Sequence, residues 1–368
     1  MQANCRLNRF PKRIINQPNK MNAIVFSFTR NGAKISLKLQ KYLNSCGFAT
    51  GIFTTRRYRD LDPALKEISP SLLAMCKEAF SRCRLMIFIG ATGIAIRSIA
   101  PYIRSKTRDP AVISIDEQGK FVIPLLSGHI GGANGLAAGI AAFLKAVPVI
   151  TTATDVNGLF AVDEWAARHH MSIFNMDAAK TFASCLVDCK KVGVKSEFPI
   201  RGPLPKGLIM AEEGAVGMAI SLRKSVQPFV ETVVLRPRIL HLGIGCRRGT
   251  SKDKIEEIVI QELTKLKVTL SVVKGIASID VKKDEEGLLA FAEENAFPIR
   301  FYSAEELNAV EGDFTPSAFV AQTVGVDNVC ERAAVLDSNG GKLLLRKTGR
   351  NGVTLAVAIE NFVVDFNE

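Results

Sequence analysis

The stretch from Phe121 to Ala146 constrains this chain most. It begins with an apolar strand, Phe121 to Leu125, and passes through the turn Ser127-Gly128-His129-Ile130-Gly131-Gly132-Ala133-Asn134. It ends in an alanine-rich helical run, Gly135 to Lys145. A strand that enters a helix through a short glycine turn is the building unit of a sheet covered by helices. Glycines let a ligand approach the backbone, and a helix start offers unpaired N–H groups to an anion. An imidazole, a hydroxyl and an amide stand in the same turn. In an open α/β sheet, such a turn is expected at the carboxyl edge of the strands, where small molecules bind.

The same alternation runs through the first half of the chain. Strands are expected at Ala23 to Phe28, Phe48 to Phe53, Leu85 to Ile89, Ala111 to Ile115 and Phe121 to Leu125. Helices are expected at Gly32 to Ser45, in a broken stretch over Leu61 to Phe80, and from Gly93 towards Pro101. Alternating strands and helices imply a mostly parallel sheet with both faces covered. The fold class is therefore α/β, with a Rossmann-like N-terminal domain over 21–168 behind a flexible basic extension, 1–20. Residues 169–237 carry one helix, Ala178 to Val187, and short strands divided by Pro199, Pro203 and Pro205, the pattern of a small α+β bridging domain. A second α/β domain over 238–368 opens with the strand Ile239 to Ile244 and the turn Gly245 to Gly249. Thr250, Ser251, Asp253 and Glu256 then form a helix-capping pattern, followed by an apolar face at Ile255, Ile258, Val259, Leu263 and Leu266.

Composition narrows the function. The 368 residues are 47% hydrophobic, yet no apolar run approaches the ~20 residues needed to span a bilayer, and the first twenty residues do not form a secretory signal. A cytoplasmic location is expected. Eight cysteines without a Cys-x-x-Cys pair suit buried thiols better than a zinc site or disulfide framework. The net charge of +12 favours an anionic partner. Nucleic-acid signatures are missing and aromatics are only 7%, so the expected partner is a polyanionic small molecule, with neither nucleic acid nor membrane.

Three polar turns carry the candidate chemistry. In the first, His129 and Ser127 stand beside Gly131, Gly132 and Asn134; it lacks the Gly-Lys-[Ser/Thr] of a phosphate loop and the spacing of a dinucleotide fingerprint. The second, Thr151 to Gly158, holds Thr152, Asp155 and Asn157. Asp155 is expected to orient His129 or to activate water, while Asp163 and Glu164 are assigned to the first turn of the following helix. The third, Gly243 to Gly249, places Arg247 and Arg248 beside a helix start, as a clamp for an acidic ligand. His169 and His170 read as a helix end, and His241 as either core or site; no metal is assigned to any of them.

Taken together, these segments resemble the cobalamin biosynthesis protein G family, the cobalt-precorrin-5A hydrolases, from about Asn22 to near the C-terminus. The resemblance is carried by Thr92 to Arg97, Asp109 to Val112, Leu125 to Asn134, Thr151 to Gly158 and Gly243 to Ser251. It continues in Ala277 to Asp280, Lys283 to Glu285, Val324 to Val326 and Cys330-Glu331. It implies three domains and a reaction that opens the ring A δ-lactone of cobalt-precorrin-5A and releases acetaldehyde, giving cobalt-precorrin-5B. It also implies an anionic corrinoid substrate that brings its own cobalt, so no separate cofactor is expected. His129 and Asp155 are the expected catalytic pair, with His129 taking the water's proton and the N–H groups of Gly131 to Asn134 stabilising the oxyanion. Substrate-binding positions are Thr92, Arg97, Ser127, Gly131, Gly132, Asn134, Thr152, Asn157, Arg247, Arg248, Ser278 and Asp280. A non-catalytic corrinoid or tetrapyrrole carrier is the alternative from a different class, and a nucleotide-binding protein a further one. The assemblies entertained are a homodimer and transient contacts with neighbouring pathway enzymes.

Overall fold

The computed structural model describes residues 21–105, 108–129 and 131–367; the extension expected over 1–20 lies outside them. The chain divides into two compact units, one ending at Arg168 and the other beginning at His169.

In the first unit, β1 (Ala23–Ser27), β2 (Thr50–Thr54), β3 (Leu65–Glu67), β4 (Leu85–Ile89), β5 (Ala111–Ile115), β6 (Phe121–Leu126) and β7 (Val147–Pro148) form one sheet. Its order is β3-β2-β1-β4-β5-β6-β7. The helices are α1 (Arg30–Ser45), α2 (Leu72–Arg82), α3 (Thr92–Ile99), α4 (Ala133–Leu144), α5 (Ala153–Val156) and α6 (Val162–Arg168). Every residue of β1, β4 and β5 is buried because both faces are covered. Val25, Leu85, Ile87 and Ile113 share one core with Leu39 of α1 and Ile140 of α4, while Phe26, Met86, Phe88 and Val112 share the other with Cys76 of α2 and Ala95 of α3. Burying a side chain of this size contributes ~1.5–3 kcal/mol. The broken helical stretch expected over Leu61 to Phe80 resolves into β3 and α2. Ser71 caps α2 by accepting from the Ala74 N–H at 3.2 Å, which sets where the helix begins.

One pairing departs from the parallel pattern and moves the site. β6 runs antiparallel to β5, while β7 is parallel to β6 and every other pair in the sheet is parallel. The end of β6 therefore lies beside the start of β5, with Leu126 opposite Val112. The glycine turn after β6 sits at the carboxyl end of its own β6–α4–β7 unit but at the amino edge of β1, β2, β4 and β5. This corrects the expectation that it lies at the carboxyl edge of the parallel strands.

The second unit holds three sheets. β8 (Ser172–Ile173), β9 (Val192–Ser196), β11 (Leu208–Met210), β12 (Gly214–Ile220) and β13 (Phe229–Arg236) are ordered β11-β9-β12-β13-β8. All pairs are parallel except β8 on β13. The prolines suggest short strands, yet β12 and β13 run for seven and eight residues. α7 (Met176–Val187) starts at Asn175, whose side chain accepts from the Ala178 N–H. β10 (Ile200–Arg201) pairs with β19 (Val364–Asp365).

In the remaining sheet, β14 (Leu240–Cys246), β15 (Val273–Ile279) and β16 (Ile299–Tyr302) run parallel, and β17 (Lys342–Arg350) and β18 (Val353–Ile359) complete the order β16-β15-β14-β18-β17. α8 (Lys252–Lys265) and α9 (Glu286–Glu294) pack on one face through Ile255, Val259, Leu263, Leu288 and Phe291. α10 (Ala304–Asn308), α11 (Ala318–Val324) and α12 (Val329–Asp337) follow, with Ala333 and Ala334 of α12 against the other face. Gly243 makes that packing possible. A Cβ there would lie 1.8 Å from the Cys330 carbonyl oxygen, so only glycine lets α12 approach β14 this closely.

Candidate active site

The turn after β6 is shaped by its backbone. Ser127 adopts a left-handed conformation, φ 57°, and donates its hydroxyl to the Asp109 carbonyl oxygen at 3.0 Å, tying the turn to the start of β5. A Cβ on Gly131 would lie 2.4 Å from Ser127 Cβ, so the chain can double back only with glycine there. The N–H groups of Gly132, Ala133 and Asn134 donate to the carbonyls of His129, Ser127 and Gly128. They are thus unavailable to an oxyanion, contrary to expectation. Among the described residues the N–H groups of Gly128, His129 and Gly131 donate no hydrogen bond.

This geometry delivers His129 into a bracket of carboxylates. Its Nε2 lies 2.8 Å from Asp155 Oδ2 and 3.2 Å from Thr154 Oγ1, and its Nδ1 lies 3.3 Å from Asp163 Oδ1. Asn134, almost fully buried, donates Nδ2 to Asp155 Oδ2 and to Thr152 Oγ1, both at 3.0 Å. The hydrogen bond to Asp163 contributes most to raising the imidazole pKa; burial opposes it, and Asp155 adds to the rise, leaving a value of about 9. His129 is therefore an imidazolium at neutral pH, with both ring N–H groups donated to carboxylates. That state cannot take a proton from water, so the expected base role for His129 does not fit the resting geometry. Asp155 Oδ1 makes no hydrogen bond among the described residues, and its side chain is 28% exposed. Burial raises the pKa of Glu164 next to this cluster.

His129, Asp155 and Glu164 each offer one ligand atom, and these atoms lie within 4.8 Å of one another. Both ring nitrogens of His129 face carboxylates, Asp155 and Asp163, and a metal ligand would require the neutral ring.

Within the first unit, Thr92 and Arg97 lie apart from His129. Thr92 starts α3 after the carboxyl end of β4, with Oγ1 3.2 Å from Ser114 Oγ. The guanidinium of Arg97 folds back towards Gly93 on the same helix. Both belong to the opposite edge of the sheet from His129, about 15 Å away for strands of five residues. Asn157 closes α5 by donating to the Ala153 carbonyl. In the second unit, Arg247 and Arg248 are exposed in the turn after β14, and Asp280 is exposed after β15. Ser278 is fully buried and donates to the Ile244 carbonyl at 2.6 Å, so its hydroxyl serves the sheet rather than a ligand.

Asp163 is the residue that sequence reasoning missed. It does lie in the first turn of α6, as expected, yet it also reaches His129. The spacing Asp155, Asp163, Glu164 around a single polar turn is the signal that could have marked it. His241 is core: its Nδ1 is 2.5 Å from Asp337 Oδ2 and its Nε2 is 2.8 Å from Glu360 Oε1, with Arg300 and Tyr302 donating to Asp337 Oδ1. All seven described cysteines are free thiols, and no helix among the described residues is long and apolar enough to cross a membrane.

A mostly parallel α/β architecture with a polar strand-to-helix turn holding an imidazole between carboxylates is that of an α/β protein with a candidate polar site. Family models describe its segments in order: "Cobalamin synthesis G N-terminal" over residues 74–155, "Cobalamin biosynthesis central region" over 160–237 and "Cobalamin synthesis G C-terminus" over 240–358. The chain is 32% identical over 356 residues to a cobalt-precorrin-5A hydrolase of Priestia megaterium, covering 91% of this chain and 94% of that one. It is 38% identical over 295 residues to a cobalt-precorrin-5A hydrolase of Salmonella typhimurium, covering 77% and 84%. Among solved structures, a cobalamin biosynthesis protein G homologue from Sulfolobus solfataricus is 22% identical with a TM-score of 0.40, over 92% of this chain and 97% of that one. The chain belongs to the cobalamin biosynthesis protein G family.

Proposed function

We propose that this protein is a cobalt-precorrin-5A hydrolase of cobalamin biosynthesis, opening the ring A δ-lactone and releasing acetaldehyde to give cobalt-precorrin-5B. The supporting observation is the His129 imidazolium held between Asp155 and Asp163, at a turn whose Gly131 N–H is uncommitted. The names of the relatives that align along most of the chain support the substrate.

The roles of the expected pair are exchanged. Asp155 accepts the proton of water through Oδ1 while Oδ2 stays bonded to His129 and Asn134. Water adds to the lactone carbonyl carbon, and the acyl C–O bond breaks to leave a carboxylic acid and a secondary alcohol. The positive charge of His129 offsets the negative charge that develops on the carbonyl oxygen, with the Gly131 N–H as its donor. In the second step the alcohol proton leaves, a C=O bond forms and the adjacent C–C bond breaks. Acetaldehyde departs, and the electron pair passes into the conjugated macrocycle, which takes up a proton. No resident metal is invoked, because cobalt enters inside the substrate.

The test is anaerobic incubation of the protein with cobalt-precorrin-5A, following acetaldehyde and the lactone-opened product together. Both are expected to form in proportion to enzyme. Tight binding without acetaldehyde would replace this reading with that of a corrinoid carrier.

A further inference from the structure

The carboxyl edge of the parallel strands in the C-terminal sheet carries a second set of polar groups. β14 ends at Cys246 and β15 at Ile279, and the two strands are parallel, so the segments that follow them emerge side by side. Glu285, only 7% exposed, links these segments. Its Oε2 accepts the Gly249 N–H at 3.1 Å, and its Oε1 lies 3.5 Å from Lys282 Nζ. Two further bonds fix the turn from Arg247: its N–H donates to the Gly352 carbonyl, and its carbonyl accepts the Thr250 hydroxyl.

Lys282 is the unusual member. Its side chain is only 15% exposed, and among the described residues its ammonium has Glu285 as its one ion-pair partner, at the long end of hydrogen-bond range. Lys252, at the start of α8, is by contrast bonded to Glu294 at 2.5 Å. An ammonium has three donors, and withdrawing it from water with two of them unmet is unfavourable unless an anion arrives. Arg247 and Arg248 stand exposed in the neighbouring turn and form no ion pair among the described residues. Lys282 thus follows β15, and Arg247 and Arg248 follow its parallel neighbour β14, with one buried carboxylate shared between Lys282 and the turn.

We propose that Lys282, Arg247 and Arg248 form a carboxylate-binding site for the acidic arms of a polycarboxylate tetrapyrrole, with Glu285 as the residue that positions Lys282 and the turn. The ligand class rests on the functional reading above; the site rests on the geometry of the strand edge. Lys282 supplies the selective contact, because its largely buried side chain is held beside Glu285 and its ammonium has donors to spare. Arg247 and Arg248 supply exposed, salt-sensitive attraction. The half-buried thiol of Cys246, whose pKa burial raises and on which the charges of Lys282 and Glu285 act, reports on occupancy.

The experiment uses the full chain and uroporphyrin, an octacarboxylate tetrapyrrole, and follows alkylation of Cys246 by iodoacetamide through peptide mass spectrometry. In the wild type, uroporphyrin is expected to slow Cys246 alkylation at least several-fold. Lys282→Met is expected to abolish that protection while keeping the wild-type circular dichroism spectrum, and Lys282→Gln is the second variant should Lys282→Met fold poorly. Glu285→Ala is expected to weaken protection, whereas Glu285→Gln, which keeps an acceptor for Gly249, retains it. Protection that is absent from the wild type, or unchanged when Lys282 is replaced, overturns the site; equal loss in both Glu285 variants overturns the positioning role. Acetaldehyde release from cobalt-precorrin-5A is measured on the same preparations. Lys282-dependent protection without acetaldehyde would sink the hydrolase reading and leave the site standing, and acetaldehyde without Lys282-dependent protection would do the reverse.

Discussion

Asp163 Oδ1 lies 3.3 Å from His129 Nδ1, on the opposite side of the imidazole from Asp155, whose Oδ2 is 2.8 Å from Nε2. A histidine with one carboxylate partner can keep its second nitrogen for a substrate. A histidine with two is held as a cation and fixed in orientation. The chemistry assigned to this turn follows from that difference.

Removing the imidazole should therefore slow the reaction more than it weakens binding. His129→Ala and Asp155→Ala are each expected to lower kcat for acetaldehyde release about 10²–10⁴-fold, with KM within a few-fold of the wild type. Unchanged turnover in Asp155→Ala, with product confirmed by mass, would remove Asp155 as the base.

The pH dependence has a definite sign. His129 is raised to about 9 from an ordinary value near 6.5, so turnover that needs the imidazolium should fall as pH rises through about 9. Asp163→Asn removes the largest contribution to that rise and should move the alkaline limb to lower pH, read from kcat against pH. Stability follows the same group. Its contribution, roughly 2–3 kcal/mol after discounting for solvent, is full below about 6.5 and is lost as pH rises through about 9. Denaturant titrations of the wild type and His129→Gln across that window should converge at the alkaline end.

His241 makes the corresponding prediction for the second unit. Burial opposes its charge, but Asp337 and Glu360 outweigh burial and hold its pKa above the ordinary value. The same balance leaves both carboxylates below theirs. Asp337 is 3% exposed, so Asp337→Asn should destabilise the protein by about 3–5 kcal/mol. The contribution of His241 is full below about 6.5 and fades as pH rises through its raised value. That of the two carboxylates is full above about 4.3 and fades as pH falls through their depressed values. The gap between the variant and the wild type in urea titrations should be widest between those limits. A gap independent of pH would show that packing alone holds this region.

Gly243→Ala tests the closest approach in the C-terminal sheet. The added methyl would meet the Cys330 backbone carbonyl at 1.8 Å, so α12 must shift off β14. A loss of about 1–3 kcal/mol or more is expected, visible as a lower Tm. A wild-type Tm would mean that α12 moves without resistance.

Much of this architecture is a property of the local sequence. The apolar runs at Leu85 to Ile89 and Ala111 to Ile115 are strands covered on both faces, as their composition suggests, and the caps at Thr29 and Asn175 start their helices two residues before the expected Gly32 and Ala178. The turn Ser127 to Asn134 and the turn around Asp155 are legible as polar breaks after strands, because glycine and hydroxyl residues interrupt an apolar period. Strand direction is not legible in this way. A run such as Phe121 to Leu126 has the same composition whichever way it enters the sheet, and its antiparallel entry beside β5 separates Thr92 and Arg97 from His129. The same holds for Asp163, which by sequence is one more acidic residue in a helix's first turn. Only the path of the chain through α5 and into α6 brings its carboxylate to the second nitrogen of His129, and so decides the charge that the imidazole carries.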